Sequence, residues 1–135
     1  MEFRSENLLI TGGAGFIGSN FINYLLSKNR KIRVFNLDSL TYAGNLKNTI
    51  SFKQNPNYTF INGDICDRKL LIDIFQKYKI DGVINFAAES HVDNSIINPE
   101  IFIKTNVNGV FNLLSVSYSS WMDKPFTYKK GYTNS

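Results

Sequence analysis

Short apolar runs bounded by turn residues alternate along this chain with longer segments in which apolar positions recur every three to four residues. The first run, NLLIT at 7–11, reads as a strand, and the helical period after it predicts a helix over Phe16–Lys28. The pattern then repeats. IRVFNL at 32–37 is a second strand, NLKNTI a short helix, YTFING at 58–63 a third strand, and Asp67–Tyr78 a second full helix. GVINFAA at 82–88 gives a fourth strand. Asn98 offers a cap and Pro99 a first helical residue for a long helix, whose apolar stripe of Ile103, Val107, Val110, Phe111 and Leu114 reaches towards Trp121. Thr105 and Asn106 interrupt its apolar face, where they either find hydrogen-bond partners or turn to solvent.

Strands separated by helical crossovers of this length imply a mostly parallel sheet with helices on both faces, and right-handed crossovers restrict the order to 3-2-1-4. The expected class is α/β, a partial doubly wound parallel sheet, Rossmann-like and truncated after about four strands. A complete sheet continues beyond the fourth strand, so that strand's outer edge is left open and self-association is expected. Residues 1–122 read as one incomplete domain, and 123–135, DKPFTYKKGYTNS, as a polar C-terminal tail without apolar period.

Composition narrows the function classes. In 135 residues, 43% hydrophobic and 14% aromatic content supplies one core. No apolar run approaches the roughly 20 residues that span a bilayer, and MEFRSENLLITGG lacks the plan of a signal peptide, so neither membrane insertion nor export is expected. Cys66 and His91 are the single cysteine and histidine, too few for a disulfide or a structural zinc site. No metal is expected, and a cytoplasmic setting is. The net charge of +4 comes from 15 Lys and Arg scattered among 11 acids with no basic run longer than KNRKIR, which argues against nucleic acid as a partner.

ITGGAGFIGSN joins the first strand to the first helix, with Gly12, Gly15 and Gly18 three apart. Gly12 permits the tight turn, Gly15 lets a pyrophosphate approach the backbone, and Gly18 lets helix pack close on strand, while N–H groups at the helix start favour the anion. Asp38 closes the second strand twenty residues beyond Gly18, where an adenosine ribose would lie. A carboxylate there accepts from ribose hydroxyls and repels a 2′-phosphate, so the expected cofactor is NAD rather than NADP. The competing readings are an ordinary tight turn and a solvated loop acid. AESHVDNS lies just beyond the carboxyl end of a buried strand, where ligands of open α/β sheets bind. That puts His91 in a site-like place, although lone histidines are more often superficial or structural. Glu89 and Asp93 read equally well as site groups or solvated acids. Cys66 reads as a small core or edge residue rather than a reactive thiol.

TGGAGFIGSN, NLDSLTYAGNLKN, INGDICD and INFAAESHVDNSI, in this order, resemble the extended short-chain dehydrogenase/reductase family, and within it the dTDP-glucose 4,6-dehydratases. The likeness runs from about Asn7 to Trp121. It implies that Phe16 and Ile17 line the pyrophosphate, that Asp38, Ser39, Leu40 and Thr41 surround the adenosine ribose, and that Asp64 and Ile65 meet the adenine. It also implies that Ala87, Ala88, Glu89 and Ser90 pass under the nicotinamide half, that Thr105 touches it from the long helix, and that His91 faces a sugar nucleotide. A homo-oligomer is implied too, a dimer through the long helix and its neighbour. Asn94 departs from the pattern, in which arginine commonly follows HVD.

In the resembled enzymes NAD oxidises the sugar at C4, an acid–base pair eliminates water across C5 and C6, and the hydride returns at C6. The oxidation uses a tyrosine four residues before a lysine whose charge favours the phenolate, and the elimination uses an adjacent Asp and Glu. Here the only such spacing is YLLSK, Tyr24 to Lys28, and Tyr24 falls roughly 9 Å further along the first helix than Gly18. No catalytic residue is therefore assigned. The resemblance implies the NAD-binding N-terminal part of a nucleotide-sugar 4,6-dehydratase, inactive alone and taking its nucleotide-sugar substrate only with the missing half supplied. Two alternatives stay open: a non-catalytic NAD-binding module, and a fragment of a nucleotide-sugar epimerase, against which TYAGN and ESHVDNS argue.

Overall fold

Strand β1 (Asn7–Thr11) is buried along its whole length, as a strand covered by helices on both faces of a parallel sheet must be. The Asp81 carboxylate anchors its start, accepting the N–H groups of Glu6 and Asn7 at 3.0 Å each. In this computed structural model, which describes residues 5–41, 44–90 and 92–132, β1 pairs in parallel with β2 (Arg33–Asp38) on one side and β4 (Gly82–Asn85) on the other. Strand β3 (Tyr58–Asn62) extends the sheet from β2. The order is β3-β2-β1-β4, the one the crossover rule required.

The pleat divides the core between two faces. Leu8, Ile10 and Val34 pack on helix α1 (Phe16–Lys28) through Ile22, Leu25 and Leu26. Leu9, Phe35 and Leu37 point the other way, onto α2 (Arg68–Tyr78), which follows Asp67 as its cap, and onto α5 (Val110–Trp121). Trp121 ties the end of α5 to the start of β4, donating from Nε1 to the Ile80 carbonyl at 2.7 Å. Between β2 and β3 the short helix is a 3₁₀ turn, Leu46–Thr49.

Three features depart from the sequence pattern. β4 stops at Asn85 rather than Ala88, because its partner β1 ends at Thr11 opposite Asn85 and turns away at Gly12. The Phe86 N–H still reaches Thr11 O at 2.9 Å, and the residues after it leave the ladder. The long helix is divided: after α3 (Val92–Ile97) come α4 (Pro99–Ile103), a π-helical segment over Lys104–Gly109, and then α5. Its apolar stripe faces outward, with Val107, Phe111 and Leu114 57%, 65% and 67% exposed, while Gly109, Leu113, Val116 and Ser117 are the buried positions. The small residues of that second set let α5 lie close against its neighbours; a Cβ on Gly109 would come within 2.5 Å of Ile65. Finally, the polar segment after α5 carries an antiparallel hairpin of β5 (Met122–Lys124) and β6 (Thr127–Tyr128). Backbone hydrogen bonds rather than apolar burial hold it, including Lys129 N–H to Trp121 O at 2.7 Å, so no periodicity announced it.

Among the described residues β4 has no partner on its outer edge, and no helix is long and apolar enough to cross a membrane.

Candidate functional site

A cavity of about 320 Å³ opens across the carboxyl ends of the four parallel strands, the place where open α/β sheets bind ligands. Gly12 and Gly15 from the turn after β1 form one wall, and Leu37, Asp38, Ser39, Thr41 and Gly44 from the end of β2 the next. Gly63, Asp64 and Ile65 follow β3. The residues released from β4, Phe86 to Glu89, close the far side under Ile101, Lys104 and Thr105 of the helical rod.

The turn after β1 is held from β2. Gly12 N–H donates to Leu37 O at 2.9 Å, Gly13 N–H to Asn36 Oδ1 at 3.0 Å, and Ala14 N–H to Asp38 Oδ2 at 2.8 Å. Gly15 N–H folds back onto Gly12 O at 3.2 Å. On the outer side, Asn45 N–H and Asn48 Nδ2 both donate to Ala14 O, at 3.1 and 2.8 Å. Gly12 sits at φ 70, and a Cβ there would approach Ala87 N to 2.5 Å, so both its conformation and its contact with the β4 end demand glycine. The ladder of α1 starts at Ser19 N–H to Gly15 O, which leaves the N–H groups of Phe16, Ile17 and Gly18 at the positive end of a helix with no acidic residue in its first turn. Free N–H groups at the start of a helix favour an anion, and this one begins beside the cavity wall at Gly15.

Asp38 is 7% exposed, and its second oxygen accepts Leu40 N–H at 2.8 Å, with Leu40 at φ 53. Each carboxylate oxygen keeps a second lone pair, so the group still accepts from ligand hydroxyls on the cavity side. Asn36 is fully buried and donates from Nδ2 to the Tyr58 hydroxyl at 2.9 Å. Burial raises the Tyr58 phenol above its ordinary value, the hydrogen bond from Asn36 opposes this, and the Asp38 charge adds to it.

The helical rod grips the opposite walls. The Asn106 side chain, in the π segment, accepts Glu89 N–H and donates to Glu89 O, both at 2.9 Å, pairing with that peptide as a neighbouring strand would. Asn112 Nδ2 donates to the carbonyls of Ile65 and Cys66 at 3.3 and 3.1 Å. The Cys66 thiol donates to Lys104 O at 3.2 Å. Burial first, then the hydrogen bond and charge of Asp64, push that thiol up to about 11 against a smaller pull from Lys104.

Of the residues singled out from the sequence, Gly12, Gly15, Asp38, Ser39, Thr41, Asp64, Ile65, Ala87, Ala88, Glu89 and Thr105 come together on this cavity. Gly18, Leu40 and Ser90 lie off its walls, and Phe16 and Ile17 turn their side chains to solvent at 81% and 68% exposure. His91 and the side chain of Asn94 lie outside the described residues. The sequence reading missed Leu37, Gly44, Gly63, Phe86, Ile101 and Lys104. Helical spacing contained one signal: Ile101 stands one turn before Thr105. Tyr24, the one tyrosine with lysine spacing, is on α1, 61% exposed and off the cavity.

A parallel sheet of this order, a glycine turn opening the first helix and an acid closing the second strand define a Rossmann-like α/β fold. The family described as GDP-mannose 4,6 dehydratase matches residues 9–131, and the chain belongs to it. It is 43% identical over 127 residues to a dTDP-glucose 4,6-dehydratase of Neisseria gonorrhoeae, a match covering 94% of this chain and 36% of that protein. It superposes with a TM-score of 0.78 and 43% identity on a dTDP-glucose 4,6-dehydratase from Streptomyces venezuelae crystallised with NAD, covering 84% of this chain and 36% of the other. A UDP-glucose 4-epimerase from Thermotoga maritima with UDP-glucose gives a TM-score of 0.74 at 32% identity, covering 84% and 34%. The chain thus spans about a third of the length of these relatives, and the resemblance to dehydratases read from its motifs holds.

Proposed function

We propose that this chain binds NAD along the strand ends and is the cofactor-holding part of a nucleotide-sugar 4,6-dehydratase of the dTDP-glucose type. One observation carries the reading: a single cavity joins the glycine turn, Asp38 and the segment released from β4. The pyrophosphate lies against the N–H groups at the start of α1, and Asp38 with Ser39 and Thr41 takes the adenosine ribose. Asp64 and Ile65 flank the adenine. Ala87 to Ser90, held by Asn106, and Thr105 form the bed of the nicotinamide half, with His91 towards the sugar nucleotide.

Bound NAD supplies the hydride acceptor for sugar oxidation. The residues here bind and orient; none is assigned a proton-transfer role, since Tyr24 stands off the cavity. The higher identity to dehydratases than to the epimerase favours elimination chemistry over epimerisation for the whole enzyme. The outward stripe of Val107, Phe111 and Leu114 supports self-association of the chain through the helical rod.

Calorimetric titration tests the cofactor. NAD binds more tightly than NADP, because a carboxylate and no arginine meets the ribose 2′-position, and Gly15→Val abolishes binding by filling the space of the pyrophosphate. Tighter NADP binding, or a folded Gly15→Val protein that binds NAD normally, removes the assignment.

A further inference from the structure

We propose that Asn36 and Tyr58, neither of which lines the cavity, are positioning residues that shape the glycine turn before any cofactor arrives. The inference rests on the reading of the cavity as an NAD site and deepens it.

A carboxamide in the middle of a parallel strand needs a reason. Asn36 is fully buried, on the face of β2 that Val34 gives to the α1 core, and an aliphatic residue there would add to that core without needing hydrogen bonds. Both ends of its side chain are used, Oδ1 by Gly13 N–H and Nδ2 by the Tyr58 hydroxyl. Asn36 and Asp38 share one face of the strand by its period of two, and they take consecutive N–H groups of the turn, those of Gly13 and Ala14. With Gly12 on Leu37 O and Gly15 on Gly12 O, every N–H from Gly12 to Gly15 has an acceptor within the protein. The turn is therefore folded on β2 as on a template, and the donors facing the anion begin at the start of α1.

Asn36 suits this task because it offers an acceptor to an amide and a donor to a phenol at once. An aspartate would set a second buried carboxylate beside Asp38. Tyr58 holds the far end: it sits on β3 opposite Val34, two residues back along β2 from Asn36, and its ring packs against Phe52 at a 4.9 Å centroid distance. A Cβ on Gly13 would collide with the Asn36 carboxamide and with Ile22, so the second glycine of the turn is matched to this side chain.

The test compares the parent chain with Asn36→Leu and Tyr58→Phe by calorimetric titration of NAD and ADP-ribose and by amide hydrogen exchange. Binding is measured at temperatures where circular dichroism shows each variant folded. Asn36→Leu is expected to weaken both ligands alike, by about tenfold, because an orphaned buried N–H loosens the pyrophosphate cradle they share. Gly13 should exchange faster while Leu9 in β1 stays protected. Tyr58→Phe frees the carboxamide to rotate, and a smaller loss, roughly threefold, with partial Gly13 deprotection follows; it carries the test if Asn36→Leu does not fold. A purely structural role would lower the melting temperature and leave affinity and the Gly13-to-Leu9 exchange ratio unchanged. That result in the folded variants overturns the positioning role alone. Failure of the parent chain to bind NAD or ADP-ribose overturns the cavity reading and the positioning role with it.

Discussion

Asp38 and Cys66 show how much a single side chain depends on its fixed neighbours. Asp38 accepts from Ala14 and Leu40 as well as facing the cavity, so in the NAD reading proposed above it is strut and recognition group together. Asp38→Ala is therefore expected to weaken NAD by more than about tenfold, since hydrogen bonds to charged groups are among the strongest, and to narrow the preference for NAD over NADP, since the charge that repels a 2′-phosphate is gone. A titration of both cofactors against the variant checks this, and unchanged NAD affinity or an unchanged NAD-to-NADP ratio would contradict it. Cys66 carries a thiol raised to about 11 by burial and by Asp64. Its alkylation by iodoacetamide at pH 8 should run about 100-fold slower than that of a small free thiol, the fall expected in thiolate fraction. Because the folded value lies above the unfolded one, the thiol's contribution to stability is present below about pH 9 and is lost as pH rises towards 11. Denaturant midpoints of the parent and Cys66→Ala between these pH values should converge.

At the scale of elements, the rod from α4 to α5 does two separate jobs with two faces. The inner face packs Leu113 and Val116 on α2 and sends Asn106 and Asn112 to the cavity walls. The π segment widens the helix where Asn106 reaches the Glu89 peptide, in keeping with the frequent occurrence of such bulges at functional positions. Asn106→Leu leaves the Glu89 N–H and C=O without this partner and should cost about 1–3 kcal/mol in denaturant unfolding. The outer face carries the exposed stripe. Placing charge there, as Phe111→Glu with Leu114→Lys, should reduce the self-association proposed for this face, read by light scattering, without lowering the melting temperature, because neither residue is buried within the chain. An unchanged oligomer distribution would move association to the open β4 edge.

For the molecule as a whole, β1 and β2 are the buried spine, while β3 and β4 are only partly covered. Stability is therefore expected to be modest and ligand-dependent. Saturating NAD at 100 times its dissociation constant should stabilise the fold by about 2.7 kcal/mol, read as a rise in melting temperature. The purified chain should not form a 4-keto-6-deoxy sugar from dTDP-glucose by mass spectrometry. Among the described residues no tyrosine–lysine pair reaches the cavity, and a Gly15→Val preparation controls for contaminating enzyme. Product from the parent chain but not the control would place proton transfer on the residues lining the cavity.

The strand order, the helices that follow β1 and β3, and the turn from Gly12 to Gly18 were legible in the sequence, because they obey local rules: apolar period, capping residues and glycine where a side chain does not fit. NLDSLTYAGNLKN and INFAAESHVDNSI marked which strand ends line the cavity, and eleven of the chosen residues meet on it. Tertiary structure alone decided the rest. Where β4 stops depends on where its partner β1 turns, and which face of the long helix is buried depends on the close approach of Gly109 to Ile65 and of α5 to α2. Asn36 looked like one more residue of a strand until Gly13 and Tyr58 were placed against it. Hydrogen bonds between segments more than twenty residues apart have no period, so the groups that hold the turn became visible only when the sheet brought them together.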